Sequence, residues 1–104
     1  MEIVEKSVGN ALYIFLSGEI DEHSAHRDRK RTDDLIEKNL SKEYVVFNLS
    51  RVSFMDSTGI GFMIGRYKKL KQFGLCGYIE KPNLSADRVL SISGVYTLLP
   101  KIDG

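Results

Sequence analysis

The sequence is poor in the features that mark several classes of protein. It has one cysteine, so no internal disulfide can form, and its 15 lysines and arginines are nearly balanced by 14 aspartates and glutamates. A balanced charge gives no reason to expect nucleic acid or an anionic membrane as a direct partner. The longest apolar run, residues 11–16, is far shorter than the roughly 18 residues of a membrane span. A specific protein or a small molecule is the more natural partner.

The start of the chain and its cysteine both bear on the compartment. Residues 1–5 lack the charged and then apolar pattern of a signal peptide. Cys76 lies in an apolar run, which fits a reducing compartment, and we expect it to be a structural thiol in the core. The sequence therefore predicts a cytoplasmic protein, and 104 residues leave room for one domain, residues 1–104, with one core.

Apolar periodicity and turn residues divide the chain into alternating strands and helices. The predicted elements are strands over residues 2–8 and 11–17 joined by Gly9-Asn10, an acidic loop over 17–22, a helix over 24–40, a strand over 44–49, a helix from Ser57 to before Gly74, a strand over 75–81, a helix from Pro82-Asn83 to Gly94, and a short strand or extended tail over 97–102. The order ββαβαβαβ predicts an α/β fold, a mixed β-sheet covered by crossover helices. The strands at 11–17 and 44–49 are apolar on both faces, so we expect both to be interior and the second to be central.

The first predicted helix is basic in its first half. Arg27, Arg29, Lys30 and Arg31 could form a nucleic-acid patch or a solvated face. Because three aspartates interleave with or follow them, the solvated face is favoured.

The chemistry of the chain is concentrated in residues 54–65, FMDSTGIGFMIG, where an apolar strand ends and an amphipathic helix begins. Asp, Ser and Thr directly before apolar residues at helical spacing are typical of a helix start, because their side-chain oxygens accept from the first-turn amides. Ser57 is the best N-cap candidate. A helix start carries about half a positive charge, so a phosphate near that hydroxyl would be favoured.

The apolar stripe of this helix sets the expected role of its other residues. Ile60, Met63, Ile64, Tyr67 and Leu70 fall on one side, with Arg66, Lys69 and Gln72 on the opposite side. Phe62 also lies away from the stripe, one turn after Thr58. It is either an exposed anchor for a partner or covered by another segment.

Several enzymatic and ligand-binding motifs are missing. Gly59, Gly61 and Gly65 do not match the dinucleotide fingerprint, and no phosphate-binding P-loop is present, so no cofactor is predicted. The spacing of Gly61 and Gly65 indicates close packing against a neighbour instead. His23 and His26 are not evident catalytic bases, which disfavours a hydrolase, and Asp56 lacks companion carboxylates at metal-ligand spacing. From the residues alone, a plain capping role for Ser57 is favoured over a functional hydroxyl.

Residues 54–61, followed by Gly-Arg-Tyr-Lys at 65–68, closely resemble the anti-sigma factor antagonists, which are small bacterial STAS-domain proteins, and most of all those of the sporulation sigma-F system. The similarity extends to residues 16–21, 45–49 and 92–95 and covers nearly the whole chain. The basic first helix departs from the family.

The resemblance implies a non-enzymatic switch. Ser57 would be phosphorylated by an anti-sigma factor that is also an ATP-dependent serine kinase, and a serine phosphatase would reset it. The unphosphorylated protein would bind that partner and free the sigma factor. The implied partner surface comprises Glu19, Asp21, Asp56, Ser57, Thr58, Gly59, Ile60 and Gly61, joined by Phe62 if that ring is exposed.

Two other readings stay open. The same fold could serve as a STAS subunit of a larger signalling or transport assembly. Alternatively, the helix start at Ser57 could be the anion site of a nucleotide-binding or anion-binding module.

Overall fold

Five strands and four helices make up residues 1–102, the part of the chain that the structure, a computed structural model, describes. In chain order they are β1 (Glu2–Val8), β2 (Ala11–Ile20), α1 (Glu22–Glu37), β3 (Tyr44–Met55), α2 (Ser57–Gln72), β4 (Cys76–Glu80), α3 (Leu84–Ser93), α4 (Val95–Leu98) and β5 (Lys101–Ile102).

The strands form one mixed sheet in the sequential order β1-β2-β3-β4-β5. The hairpin strands β1 and β2 are antiparallel, and every later pair is parallel. Since parallel neighbours are joined by right-handed crossovers, and each crossover here steps in the same direction, the helices lie on one face of the sheet. The predicted α/β fold and the central position of β3 are confirmed, with α4 as an additional short helix.

The core lies between the sheet and these helices. Alternate residues of the interior strands point into it and are fully buried: Leu12, Ile14, Leu16, Val45, Phe47, Leu49 and Ile79. The opposite face of β2 carries Tyr13 and Phe15, which are only half-buried. The prediction that β2 is interior is confirmed, because it pairs with strands on both sides.

The predicted acidic loop over residues 17–22 is wrong. β2 continues to Ile20 alongside β3, and two irregularities in their register absorb the polar residues before Ile20 pairs with Met55. Ile20 and Met55 are both buried, so their apolar contact keeps the strands together beyond the point where the sequence pattern fails.

Helix α1 begins and ends earlier than the sequence predicts. The Asp21 carboxylate caps it by accepting from the amides of His23 and Ser24, so the helix starts at Glu22. The helix ends at Glu37, and Leu40, the last residue of the predicted helix, lies beyond it and is 46% exposed. Asp28, within the basic first half of the helix, is buried.

The helix and strand boundaries in the C-terminal half agree with the prediction, with one exception. Gly74 and Gly94 have positive φ angles of 71° and 82° and close α2 and α3. The strand expected within residues 97–102 is reduced to Lys101–Ile102, because α4 occupies Val95–Leu98. Among residues 1–102, none of the helices has the length and apolar character needed to cross a bilayer.

Three expectations about packing are wrong. Cys76 is exposed at the start of β4 rather than buried. A Cβ built on Gly61 or Gly65 meets nothing within 4 Å, so these glycines are not sites of close approach. Arg66, expected on the outer side of α2, is only 4% exposed.

Phe62 is covered rather than exposed. Its side chain is 2% exposed within the core, and the Arg66 guanidinium lies 4.8 Å from the centre of its ring. Helix α2 packs against both the sheet and α1, so a second stripe of its surface is buried beside the expected one. This burial removes Phe62 from the surface that a partner could contact.

We expect Phe62→Ala to lower the free energy of unfolding by about 3 to 5 kcal/mol, the usual cost of deleting a buried ring. The matched control is Phe54→Ala, because Phe54 is 49% exposed in the structure. Its loss should be below about 1 kcal/mol. Urea unfolding of both variants measures the difference, and similar losses would contradict the packing described for Phe62.

Candidate functional site at the start of helix α2

The candidate site lies at the edge of the sheet where the parallel strands end. β2 leads into α1 at this edge, and β3 leads into α2 one strand further along. Because Ile20 and Met55 are register partners, the residues that follow them, Asp21 and Asp56, leave neighbouring strands side by side. Strand spacing places their backbones about 5 Å apart. Asp56 therefore begins α2 beside the strand end at which Asp21 begins α1.

Asp56, not Ser57, is the N-cap of α2. Its Oδ1 accepts from the Thr58 amide at 2.8 Å, and its carbonyl oxygen accepts from the amides of Gly59 and Ile60 at 3.0 and 3.2 Å. The backbone of Asp56 is extended, as an N-cap requires, and Ser57 is the first helical residue. Asp56 takes the N-cap position in place of Ser57 because its carboxylate is a charged acceptor, which the positive helix start favours.

Ser57 presents its hydroxyl at the surface. Its side chain is exposed, whereas Thr58 beside it is half-buried. The cap also changes the electrostatics expected from the sequence. Asp56 already accepts hydrogen bonds from three amides of the first turn, and its carboxylate places a negative charge at the positive end of the helix. An added phosphate would meet a site whose donors are largely used.

Gly59 seats the helix start on the sheet. It is buried, and a Cβ at this position would lie 2.4 Å from Met55 Cγ and 3.4 Å from Ile20 Cγ2. Only a residue without a side chain lets the backbone approach Met55 this closely. Gly59 thus sets the height of Asp56 and Ser57 above the strand ends.

Asp21 is held by its own cap contacts. Its Oδ1 accepts from the amides of His23 and Ser24 at 3.0 and 3.2 Å, and from the Ser24 hydroxyl at 3.3 Å. The hydrogen bond from the Ser24 amide, supported by those from the Ser24 hydroxyl and the His23 amide, lowers the pKa of Asp21. Asp21 therefore stays ionised at neutral pH, as a fixed negative charge beside the site.

The structure brings together most of the surface implied by the resemblance, but not all of it. Glu19, Ser57 and Gly61 are exposed; Asp21, Asp56, Thr58 and Ile60 are half-buried; Gly59 and Phe62 are buried. The two buried residues hold the helix in place and are not available for direct contact.

Phe54 joins this neighbourhood, although the sequence did not single it out as a surface residue. It is the register partner of Glu19 and is 49% exposed near the end of β3. It lies between Ser53 and Met55 in sequence, which gave no clear sign of exposure, and the irregular register of β2 and β3 accompanies its position at the surface. An exposed ring two residues before Asp56 enlarges the apolar part of the site.

Comparisons with known proteins agree with this architecture. Residues 2–103 match the STAS domain family. The chain is 35% identical over 92 residues to an anti-sigma F factor antagonist of Paenibacillus polymyxa, covering 88% of this chain and 78% of that protein. It is 33% identical over 92 residues to an anti-sigma-B factor antagonist of Bacillus subtilis, covering 86% of this chain and 80% of the relative.

Solved structures give the same result. The anti-sigma factor antagonist SpoIIAA in its unphosphorylated form superposes with a TM-score of 0.80 and 25% identity, over 99% of this chain and 88% of that one. SpoIIAA in its phosphorylated form superposes with a TM-score of 0.72 at 24% identity, over 99% and 91%.

The close contact of Gly59 with Met55 can be tested by using a second glycine of the same helix as a control. We expect Gly59→Ala to destabilise the fold by about 1 to 3 kcal/mol, because the new methyl group would overlap Met55. Gly61→Ala is the control, since its Cβ would enter open space. It should stabilise the helix by about 0.5 to 1 kcal/mol. Thermal and urea unfolding provide both values, and an unchanged stability of Gly59→Ala would contradict the close contact.

Proposed function

The chain belongs to the STAS domain family and, within it, to the anti-sigma factor antagonists, and we propose that it is a binding switch controlled by phosphorylation of Ser57. In its unphosphorylated form it binds an anti-sigma factor that is also a serine kinase, and so releases the sigma factor. A serine phosphatase restores this form. The protein itself catalyses no reaction in the cycle.

The observation that carries the proposal is the exposed Ser57 hydroxyl directly after the Asp56 cap. A kinase active site can reach this oxygen without unfolding the helix. Ser57 Oγ attacks the γ-phosphorus of ATP, the bond to the β-phosphate oxygen breaks, ADP leaves, and the hydroxyl proton passes to a base of the kinase. Thr58 is less accessible, because it is half-buried and its amide is bound to Asp56.

Electrostatics supports the switch. Phosphorylation adds about 1.5 to 2 negative charges. Asp56 directly precedes the position and Asp21 follows the neighbouring strand, and each carboxylate is held in place by hydrogen bonds from backbone amides. A partner surface that fits a neutral hydroxyl beside these carboxylates would have to bury an uncompensated dianion after the reaction, which costs affinity.

The known states of a relative are consistent with this cycle. SpoIIAA has been solved both unphosphorylated and phosphorylated, and this chain shares the fold of both forms. We propose that Glu19, Asp21, Asp56, Thr58, Ile60 and Gly61, together with the newly found Phe54, surround Ser57 at the partner surface. The structure offers less support for a free anion site at the helix start, because the Asp56 carboxylate already fills the capping position.

We expect Ser57 to be the single phosphate acceptor. After incubation with ATP and a candidate anti-sigma kinase, mass spectrometry should find one added phosphate on Ser57. Ser57→Ala should take up none, whereas Thr58→Val should be modified like the original protein. Phosphate on Thr58, or on the Ser57→Ala variant, would refute the assignment.

We expect Ser57→Asp to bind the same kinase at least tenfold more weakly than Ser57→Ala, a difference of about 1.4 kcal/mol. The matched control is Ser7→Asp, which adds the same charge at an exposed position near the opposite edge of the sheet. Calorimetry should give nearly unchanged affinity for this control. Equal affinities of Ser57→Asp and Ser57→Ala would show that charge at this position does not control binding.

A further inference from the structure

The proposed switch makes no use of the basic first half of α1. This helix packs against α2, and the two enclose a groove of about 420 Å³ at the molecular surface. Among the lining residues, four side chains are permanently cationic (Arg29, Lys30, Arg66 and Lys69) and three are carboxylates (Asp33, Asp34 and Glu37). The groove therefore carries one excess positive charge.

The three carboxylates are already engaged by cations of the groove. The contacts join Lys30 Nζ to Asp34 Oδ2 at 3.2 Å, Lys69 Nζ to Glu37 Oε1 at 2.6 Å, and Arg66 Nε to Asp33 Oδ1 at 2.8 Å. Among residues 1–102, Arg29 has no carboxylate partner, and its Nε donates only to the Ala25 carbonyl at 3.3 Å.

Arg66 is the second cation whose bonding is incomplete. It is 4% exposed, and within the described residues its buried Nη1 has no hydrogen-bond partner. The Nε contact with Asp33 is short, but its N–H does not point at the oxygen, and the Nη2 contact with Asp33 Oδ2 is long at 3.4 Å. Asp33 Oδ1 likewise has no well-aligned donor, and because buried polar groups in folded proteins are normally paired, the bonding of this guanidinium is incomplete.

The charges around Arg66 also indicate that its positive charge is not fully compensated. Burial is the main cause that lowers its pKa; Asp33 opposes this effect, and the nearby positive charge of Arg29 adds to it. One carboxylate does not compensate two guanidinium groups at close range. A negatively charged group beside Arg29 and Arg66 would relieve this repulsion.

We propose that the α1–α2 groove binds a phosphate group between Arg29 and Arg66. Guanidinium groups present planar pairs of donors that match the oxygens of phosphate, and two of them suit a dianion better than a single carboxylate. The phosphate belongs either to a free small molecule or to a phosphorylated side chain of another protein. This site is separate from Ser57, because Arg66 lies nine residues along α2, about 13 Å further down the helix axis.

The test is a titration of the full chain with inorganic phosphate at constant ionic strength, with sodium chloride as the reference salt. We expect saturable shifts of the Arg66 guanidinium signal and of α1 amides in NMR spectra, with sodium chloride producing none. Arg29→Gln should weaken phosphate binding at least about fivefold. Asp34→Asn, which removes a competing negative charge, should strengthen it about twofold.

Arg27→Gln is the matched control, because Arg27 lies on the same helix with its side chain 74% exposed and outside the groove. It should leave the affinity unchanged within about twofold. Equal weakening by Arg27→Gln and Arg29→Gln, or shifts that do not saturate, would overturn the proposal. A short phosphoserine peptide distinguishes the sources: tighter binding than inorganic phosphate assigns the site to a phosphorylated partner, and equal or weaker binding assigns it to a free phosphate compound.

Discussion

The close approach of Gly59 to the sheet is the contact on which the candidate site depends. Met55 and Ile20 end two neighbouring strands, and the first turn of α2 rests on both through a residue that has no side chain. Any larger residue would lift the helix start or displace Met55. The positions of the Asp56 carboxylate and the Ser57 hydroxyl follow from this contact, since both belong to the turn that Gly59 holds down.

In the proposed switch, the fixed turn would let one phosphate weaken binding without a large change in the fold. The carboxylates of Asp21 and Asp56 cap helices. Neither can rotate away from a new negative charge without losing its hydrogen bonds from backbone amides. In the free protein the repulsion is screened by water and salt at an exposed position. In the proposed complex the same charges would lose that screening, so their repulsion and desolvation would weaken the binding free energy.

Local signals predicted much of this arrangement. Gly9-Asn10, Gly74 and Gly94 mark turns that need special backbone conformations, and the run at 44–49 marks the central strand; all depend on short stretches of sequence. The errors arose where a distant segment decides the outcome. β2 extends through its polar end because Ile20 pairs with Met55, and Phe62 is buried because α2 has neighbours on two sides. A helical wheel describes one apolar stripe and cannot show a second packing partner.

The burial of Arg66 is the most informative of these differences, because it follows from the same position of α2 between the sheet and α1. A guanidinium stacked on Phe62 and paired with one carboxylate is stable only if the surrounding charges favour it, yet Arg29 opposes it. Helix α2 thus carries a neutral hydroxyl beside the Asp56 carboxylate at its start and an under-compensated cation near its middle. Their separation of about 13 Å along the helix exceeds the Debye length of about 8 Å at physiological salt. Because Ser57 is exposed, water and salt weaken the effect that a charge on it has at this distance, so one helix can present two surfaces that respond to different negative groups.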